Sequence, residues 1–234
     1  MGDRLVAVKG YGQFCPLALA SEIVGERWTP LVVRELMLGA RHFNDIHRGV
    51  PRMSPTLLSR RLKTLEMAGI VARRRAEGRI EYTLTEAGGE LVPAIEALAV
   101  WGKRWLPATL GIGTADPDLI LWDMHRRMAT ERLPQSRTVI RFDLIDQPAA
   151  KRLRWLVCTE GAVEYCIVDP GFDVDLYVTS DTPTVCWVWF GDMPLRRALD
   201  DGLIALDGPR ALRDAFPTWL RLSAMAEVPR RRMS

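Results

Sequence analysis

Histidine and cysteine are the side chains of this sequence best suited to act as bases, nucleophiles or metal ligands, and it holds three histidines and four cysteines. His42 and His47 lie close together and His125 stands alone, with no nucleophile, carboxylate pair or phosphate-binding loop at usable spacing. The cysteines form no CxxC pair and have no histidine cluster nearby. We therefore expect no enzymatic activity, no metal and no cofactor.

Cys15 is the cysteine whose position suggests chemistry, because it precedes Pro16 at a predicted helix start. Backbone N–H groups and the helix dipole could stabilise its thiolate there, which would suit a redox sensor. Isolated cysteines are also often buried as small apolar residues, so both interpretations stay open. We expect Cys158, Cys166 and Cys186 to be core residues.

Positive charge is concentrated in a short part of the chain. The whole sequence carries a formal charge of +3, whereas residues 41–79 hold ten basic and three acidic residues. A local excess of this kind is the electrostatic footprint of a polyanionic partner.

Hydrophobic periodicity predicts four helices across this basic half. They begin at Pro16, at Pro30 with Thr29 as cap, near Phe43, and at Pro55 with Ser54 as cap, and they end by about residues 24, 38, 49 and 67. The period then alternates over 71–75 and 79–84 around a turn at 76–78, which predicts a β-hairpin, and a long helix follows over about 86–105. Short helices followed by a hairpin make a winged helix-turn-helix.

The fourth helix has the two faces that binding in a DNA groove requires. At about 100° per residue, three leucines (58, 62 and 65) share one stripe, and polar residues lie opposite. Hydroxyls and cations on that face suit the acceptors and phosphates of a duplex, and arginines near the hairpin tip could straddle a neighbouring backbone or enter a minor groove. The predicted DNA-binding residues are Arg41, His42, Arg52, Ser54, Pro55, Thr56, Ser59, Arg60, Lys63, Arg73, Arg74, Arg75 and Arg79.

The same half resembles the HxlR-type bacterial regulators. The resemblance rests on Cys15-Pro-Leu and on GERWTPL (25–31), GARHFNDI (39–46), SPTLLSRRL (54–62), LEMAGI (65–70) and EYTLTEAG (81–88). It implies homodimers on inverted-repeat operators, with the first and last helices of the domain as the dimer interface, and it implies that Trp28 and Phe43 belong to the core. Glu26-Arg27 departs from the Gly-Lys that is common in the family, with no expected loss of fold.

An apolar stripe on the last helix of this half independently suggests a subunit contact, because the stripe is broader than the small domain needs. The predicted dimer residues are Leu17, Leu98, Trp101 and Trp105. Packing of this stripe on the second half of the chain is the alternative.

Glycines and prolines at 107–117 indicate a boundary between two domains. We predict a DNA-binding and dimerisation domain over 1–106, a linker over 107–117, a second domain over 118–226 and a frayed basic tail over 227–234. The second domain is predicted as α+β with a mainly antiparallel sheet, with a helix from 118 to about 132, strands around 140–144, 153–159, 163–168 and 174–178, and helices at 194–200 and 209–216.

The second half resembles the sterol-carrier-protein-type fold through VDLYV (174–178), FGDMPLRRALDDG (190–202), LDGPRAL (206–212) and FPTWL (216–220). The resemblance implies an apolar cavity, a small hydrophobic ligand, and a helix over 181–190 where the pattern alone would also allow a strand. Large aromatic residues could line such a pocket or simply fill a core. They are Trp122, Phe142, Trp155, Tyr165, Trp187 and Trp189.

The sequence thus predicts a DNA-binding regulator whose signal is either an apolar ligand or oxidation of Cys15. A ligand carrier with a vestigial DNA-binding domain is the alternative. No signal-peptide pattern and no apolar run of membrane-spanning length is found, so we expect a cytoplasmic protein without a membrane partner.

Overall fold

The computed structural model describes residues 10–159 and 161–231. Contacts divide the chain into two compact units, one ending at Leu98 and the other beginning at Ala99. This division falls inside a long helix, whereas the linker predicted at 107–117 lies within the second unit. Each unit is described by itself.

The first unit contains the predicted helices and hairpin in the predicted order. Its elements are α1 (Pro16–Val24), α2 (Thr29–Met37), α3 (Phe43–Gly49), α4 (Pro55–Met67), β1 (Val71–Ala76), β2 (Arg79–Leu84) and the start of α5 (Glu86–Trp105). Buried side chains from α2, α3, α4 and β1 form its core, and Trp28 and Phe43 pack against that core half-buried.

The start of α2 differs from the prediction. Trp28, with φ of 79°, is the residue before the helix, and Thr29 is its first helical residue. The Thr29 hydroxyl is buried and has no hydrogen-bond partner among the described residues. Thr29 does not cap the helix, because the left-handed turn at Trp28 moves the helix start back by one residue and buries Thr29.

The hairpin is closed by a two-residue loop in which both residues have positive φ, 51° at Glu77 and 79° at Gly78. Such a loop matches the right-handed twist of two paired strands. Ala76 pairs with Arg79, so β1 extends one residue further than predicted.

The second unit combines a five-stranded sheet with helices. After a 3₁₀ turn at Ile112–Thr114, its elements are α6 (Pro117–His125), a 3₁₀ turn at Thr130–Arg132, β3 (Thr138–Leu144), α7 (Ala149–Arg152), β4 (Leu153–Thr159), β5 (Ala162–Cys166), β6 (Leu176–Ser180), α8 (Thr182–Trp189), α9 (Leu195–Asp200), β7 (Ile204–Asp207) and α10 (Arg210–Trp219). The sheet order is β5-β4-β3-β6-β7. Only the β3–β6 pair is parallel, so the sheet is mixed, with three antiparallel pairings.

One face of this sheet carries the core of the second unit. Ile140, Phe142 and Leu144 alternate along β3 as predicted and join buried residues of α6, α8 and α10. Residues 182–189 form a helix rather than a strand, and the Asp181 side chain caps it by accepting a hydrogen bond from the N–H of Thr184 at 2.7 Å.

Two predictions for the second unit were wrong. The helix predicted to reach about residue 132 ends at His125, because Met128 bridges to Leu220 and the N–H of Ala129 bonds to the carbonyl of Trp219 at 2.8 Å. The basic tail was predicted to be frayed, yet Arg230 makes four hydrogen bonds within the second unit. Residues 232–234 lie outside the described part of the chain.

Candidate nucleic-acid interface

Helix α4 has a buried face and an exposed face. Leu58, Leu62 and Leu65 are at most 1% exposed and lie in the core of the first unit. Thr56, Ser59, Arg60 and Lys63, predicted to face outward, are all exposed. The apolar stripe therefore fixes the helix to its unit and leaves hydroxyls and cations directed at solvent.

The start of α4 is fixed by local hydrogen bonds. Ser54 Oγ accepts from the N–H of Leu57 at 3.3 Å, which confirms the predicted cap. His47 Nε2 lies 2.8 Å from the carbonyl oxygen of Met53, and the Met53 side chain is buried. The exposed Ser54 and Pro55 thus begin a helix whose entry is held by α3.

Arg61 was not singled out in the sequence, and the structure shows that it differs from Arg60. It is only 9% exposed and forms an ion pair with Glu26 in the turn between α1 and α2. The signal was present: Leu58, Arg61, Leu62 and Leu65 follow the i, i+3, i+4, i+7 spacing of a buried helix face. Arg61 therefore holds α4 in place, whereas Arg60 is free to reach a ligand.

The hairpin places its arginines on two faces. Arg73 and Arg75 pair across the strands with Tyr82 and Ile80, while Arg74 pairs with Glu81. Arg74 Nε donates to Glu81 Oε2 at 2.8 Å, so its charge is partly neutralised. Within the described chain, no ion pair forms at the exposed Arg73, Arg75 and Arg79. These three keep their full charge for a polyanion.

The segment before α3 ties the hairpin to the helices. The N–H of Tyr82 donates to the carbonyl of Arg41 at 2.8 Å, and His42 Nδ1 lies 3.1 Å from the carbonyl oxygen of Ile80. His42 is half-buried, while Arg41 and Arg52 are exposed. His42 thus has one ring nitrogen occupied by the hairpin backbone, which assigns it a positioning role that the sequence did not indicate.

The predicted DNA-binding residues all lie in the first unit, on α4, on the hairpin and on the segments that precede α3 and α4. Twelve of the thirteen are exposed and His42 is half-buried. The sequence prediction missed the carboxylates Glu26 and Glu81. They pair with Arg61 and Arg74, so these two arginines are less available to a polyanion than the others.

Cys15 is exposed and lies immediately before α1. Burial raises the pKa of the Cys158 and Cys186 thiols to about 12 and also raises the pKa of the half-buried Cys166. Across the described residues, no group of three or more potential metal ligands occurs. Cys15 is therefore the most accessible thiol of this structure.

The residues predicted for a dimer interface are mostly uncovered. Leu17 on α1 is 74% exposed, and on α5 Leu98 is 58% and Trp101 is 55% exposed. Trp105 is half-buried, with the Arg231 guanidinium over its ring at 5.7 Å. Leu17, Leu98 and Trp101 are therefore accessible from solvent, as the dimer prediction requires.

The six aromatic residues predicted to line a ligand pocket lie in different places. Phe142 and Trp189 border a void of about 20 Å³ whose lining is entirely apolar. Elsewhere in the unit, the Tyr165 ring stacks on His125 and the Trp122 ring lies tilted against it. Strand alternation places Trp155 on the sheet face opposite Phe142, and Trp187 is half-buried on α8. The structure thus joins only two of the six at one cavity.

The first half of the chain is similar to known proteins. A family model described as HxlR-like helix-turn-helix matches residues 23–110. YvaP of Bacillus subtilis, named an uncharacterized HTH-type transcriptional regulator, is 36% identical over 98 residues, covering 40% of this chain and 91% of YvaP. Rv3095 of Mycobacterium tuberculosis, with the same description, is 45% identical over 97 residues, covering 39% of this chain and 60% of Rv3095.

Among solved structures, diamide-treated YodB from Bacillus subtilis is 32% identical and has a TM-score of 0.34. The match covers 38% of this chain and 93% of YodB. No helix within the described ranges is both long and apolar enough to span a bilayer.

Proposed function

Since the chain belongs to the HxlR-like helix-turn-helix family through residues 23–110, we propose that it is a transcriptional regulator that binds double-stranded DNA as a homodimer. The observation that carries this proposal is the division of α4 into a leucine face inside the core and a polar, cationic face in solvent. A helix held in this way can enter a major groove without unfolding any part of its own unit.

The polar side chains of α4 suit direct reading of base edges. Thr56, Ser59, Arg60 and Lys63 occupy its first turns, and the first turns of a recognition helix are the part that approaches the bases. Arg60 and Lys63 can donate to the acceptors of guanine, while the hydroxyls can bond to bases or phosphates. We assign sequence preference chiefly to these four residues.

The hairpin suits the DNA backbone beside that groove. Arg73, Arg75 and Arg79 keep their charge, and each cation that neutralises a phosphate releases a counterion and makes affinity depend more steeply on salt. Arg41 and Arg52 are exposed in the segments that precede α3 and α4 and add two positive charges to the same unit. We assign to these five arginines affinity and orientation more than base choice.

Dimerisation is supported by the apolar side chains that α1 and α5 leave exposed, among them Leu17 and Leu98. A two-fold dimer would present α4 twice in opposite directions, so its operator would be an inverted repeat whose half-sites lie about one helical turn, ~34 Å, apart.

Selection of bound sequences from random DNA tests the proposal. The parent protein is expected to enrich an inverted repeat, and Arg60→Ala should relax the preference within each half-site. Arg213→Ala is the matched control, because Arg213 is an exposed arginine of α10 with no ion pair among the described residues. Enrichment of no sequence, together with a mobility shift that does not weaken as salt rises, would contradict a DNA-binding function.

Two signals are candidates for controlling the regulator. Oxidation or alkylation of Cys15 is supported by its exposure beside α1, where a change in the thiol would lie close to Leu17. An apolar ligand in the second unit is supported by the apolar void between sheet and helices. That void of about 20 Å³ has room for roughly one water molecule, so a ligand would have to displace side chains.

A ligand-binding experiment distinguishes a ligand-controlled regulator from a carrier with a vestigial DNA-binding unit. Calorimetry with a panel of fatty acids and aromatic acids should give binding that alters operator affinity if the protein is a ligand-controlled regulator. Ligand binding without any preferred DNA sequence would favour the carrier. No binding across the panel would contradict the proposal of an apolar ligand.

A further inference from the structure

A carboxylate of the second unit, Asp192, binds two cations from distant parts of the chain. Lys103 Nζ, on the last turn of α5, lies 2.5 Å from Asp192 Oδ1. Arg230 makes a bidentate contact, with Nε 2.6 Å from Oδ1 and Nη2 2.7 Å from Oδ2. Paired N–H donors of this kind fix both distance and orientation.

Arg230 also closes the end of α5. Its Nη1 donates to the carbonyl oxygens of Lys103 at 3.1 Å and Leu106 at 2.6 Å, and the N–H of Arg231 donates to the carbonyl of Arg104 at 2.7 Å. The last carbonyls of a helix have no partner inside the helix and carry partial negative charge. A guanidinium at this place supplies both the missing donors and the opposite charge.

The three charged groups are largely shielded from water. The side chains of Lys103, Asp192 and Arg230 are 5%, 12% and 28% exposed. Burial alone would raise the pKa of Asp192, but hydrogen bonds from Arg230 and Lys103 outweigh it and hold that pKa below its usual range. Removal of one partner would leave the others charged and poorly solvated, so the group is expected to open as a whole.

Asp192 lies three residues beyond the end of α8, a helix of the core of the second unit. The N–H of Asp192 bonds to the carbonyl of Trp187 at 2.8 Å, and the N–H of Ser223 bonds to the carbonyl of Trp189 at 3.1 Å. Gly191, with φ of +72°, has no room for a Cβ, which would lie 2.6 Å from the carbonyl oxygen of Ala226. The segment that carries Arg230 is therefore packed closely on the end of α8.

We propose that Lys103, Asp192 and Arg230 form a conformational clamp that fixes the last turn of α5 to the end of α8, and that opening this clamp is how the second unit acts on α5. The clamp adds regulation to the proposed function and rests on that function only in its effect on DNA. Any change that moves α8, such as side-chain displacement at Val188 or Trp189 beside the void, is transmitted to Asp192 by a single turn of backbone.

Hydrogen exchange on the full chain tests the clamp without using DNA. Arg230→Ala and Asp192→Asn are expected to speed exchange of the amides from Lys103 to Leu106 about tenfold or more, because local opening no longer has to break the charged group. Arg230→Lys, which keeps a charge but loses the bidentate contact, should give a smaller increase. Arg213→Ala is the control, and unchanged protection of Ile140 and Leu156 in the sheet verifies that each variant is folded.

Hydrogen exchange tests whether the clamp exists, and operator affinity tests whether it controls DNA binding. Unchanged exchange at residues 103–106 in both Arg230→Ala and Asp192→Asn overturns the clamp itself. Faster exchange together with operator affinity changed about threefold or more supports the complete proposal. Faster exchange with operator affinity equal to that of Arg213→Ala overturns its control of DNA binding, while the proposed function stands. Loss of operator binding in the parent protein would instead refute the proposed function.

Discussion

Arg60 and Arg61 are neighbours on α4, yet Arg60 is exposed while Arg61 is buried against Glu26. One residue of helical rotation, about 100°, separates a cation available to DNA from a cation that holds the helix in its unit. Substitution of Arg60 should therefore affect mainly DNA binding, and substitution of Arg61 mainly the stability of the fold.

Arg60→Ala is expected to weaken operator binding by about 1–3 kcal/mol at unchanged fold stability if Arg60 contacts a base edge. Arg61→Ala is expected to lower the free energy of unfolding by about 1 kcal/mol or more, because it removes the packing of a nearly buried side chain together with its ion pair to Glu26, whose side chain is 42% exposed. Mobility shifts and urea unfolding of both variants measure the two effects. Equal losses of stability would contradict the assignment.

The hairpin arginines should differ in how they affect the salt dependence of DNA binding. Arg75→Ala is expected to reduce the slope of log affinity against log salt by about one, since no carboxylate of the described residues pairs with Arg75. Arg74→Ala should reduce it less, because Glu81 already neutralises part of its charge.

Glu81→Gln provides the converse test. It frees Arg74 and removes a negative charge from the hairpin, so operator affinity and the salt slope should both increase. A slope that falls equally in Arg74→Ala and Arg75→Ala would mean that the Arg74–Glu81 contact does not persist on DNA.

Thiol reactivity should distinguish Cys15 from the other cysteines. A limiting amount of iodoacetamide is expected to modify Cys15 first, because it is exposed, while burial raises the pKa of Cys158 and Cys186 to about 12. Peptide mass spectrometry measures the order of modification.

If Cys15 is the sensor, diamide should weaken operator binding of the parent and of Cys166→Ser but not of Cys15→Ser. Equal responses in all three proteins would exclude this role.

If the exposed apolar residues of α5 form the dimer interface, a single charged substitution among them should disrupt the dimer. Leu98→Glu is expected to give monomers in sedimentation experiments and to lose operator affinity together with dimerisation. Val168→Glu is the control, since Val168 is an equally apolar, exposed residue in a loop of the second unit. A Leu98→Glu protein that remains dimeric would place the interface elsewhere.

His125 predicts a pH dependence of stability. Burial lowers its pKa from 6.5 to about 4, with Arg126 adding to the effect. The unfolded chain therefore takes up a proton near pH 6.5 that the folded chain accepts only near pH 4. The contribution of His125 to the free energy of unfolding is therefore fully present above about pH 6.5. It is lost as the pH falls towards 4, by an amount on the order of 2–3 kcal/mol.

His125→Gln stays neutral and isolates this contribution from the carboxylates that titrate at low pH. Urea unfolding between pH 7 and pH 4 should show a smaller loss of stability in His125→Gln than in the parent. Parallel pH profiles for the two proteins would show that His125 can be protonated in the folded state at little cost.

Local pattern in the sequence was enough to predict the order of elements in the first unit and the two faces of α4. Helical period, the Ser54-Pro55 start and the Glu77-Gly78 turn act over a few residues, so they can be read without knowing the fold. Such signals failed where distant backbone decides the outcome, as at the end of α6, where Met128 and Ala129 bond to the end of α10.

By itself, the sequence determined the order of elements in the first unit and where positive charge accumulates. Only the tertiary structure decided which cations are free, because Glu26 lies 35 positions from Arg61 and Asp192 lies 38 positions from Arg230 along the chain. An ion pair over such a separation forms only after packing has brought two elements together. For the same reason, strand pairing and not composition placed Trp155 and Phe142 on opposite faces of one sheet.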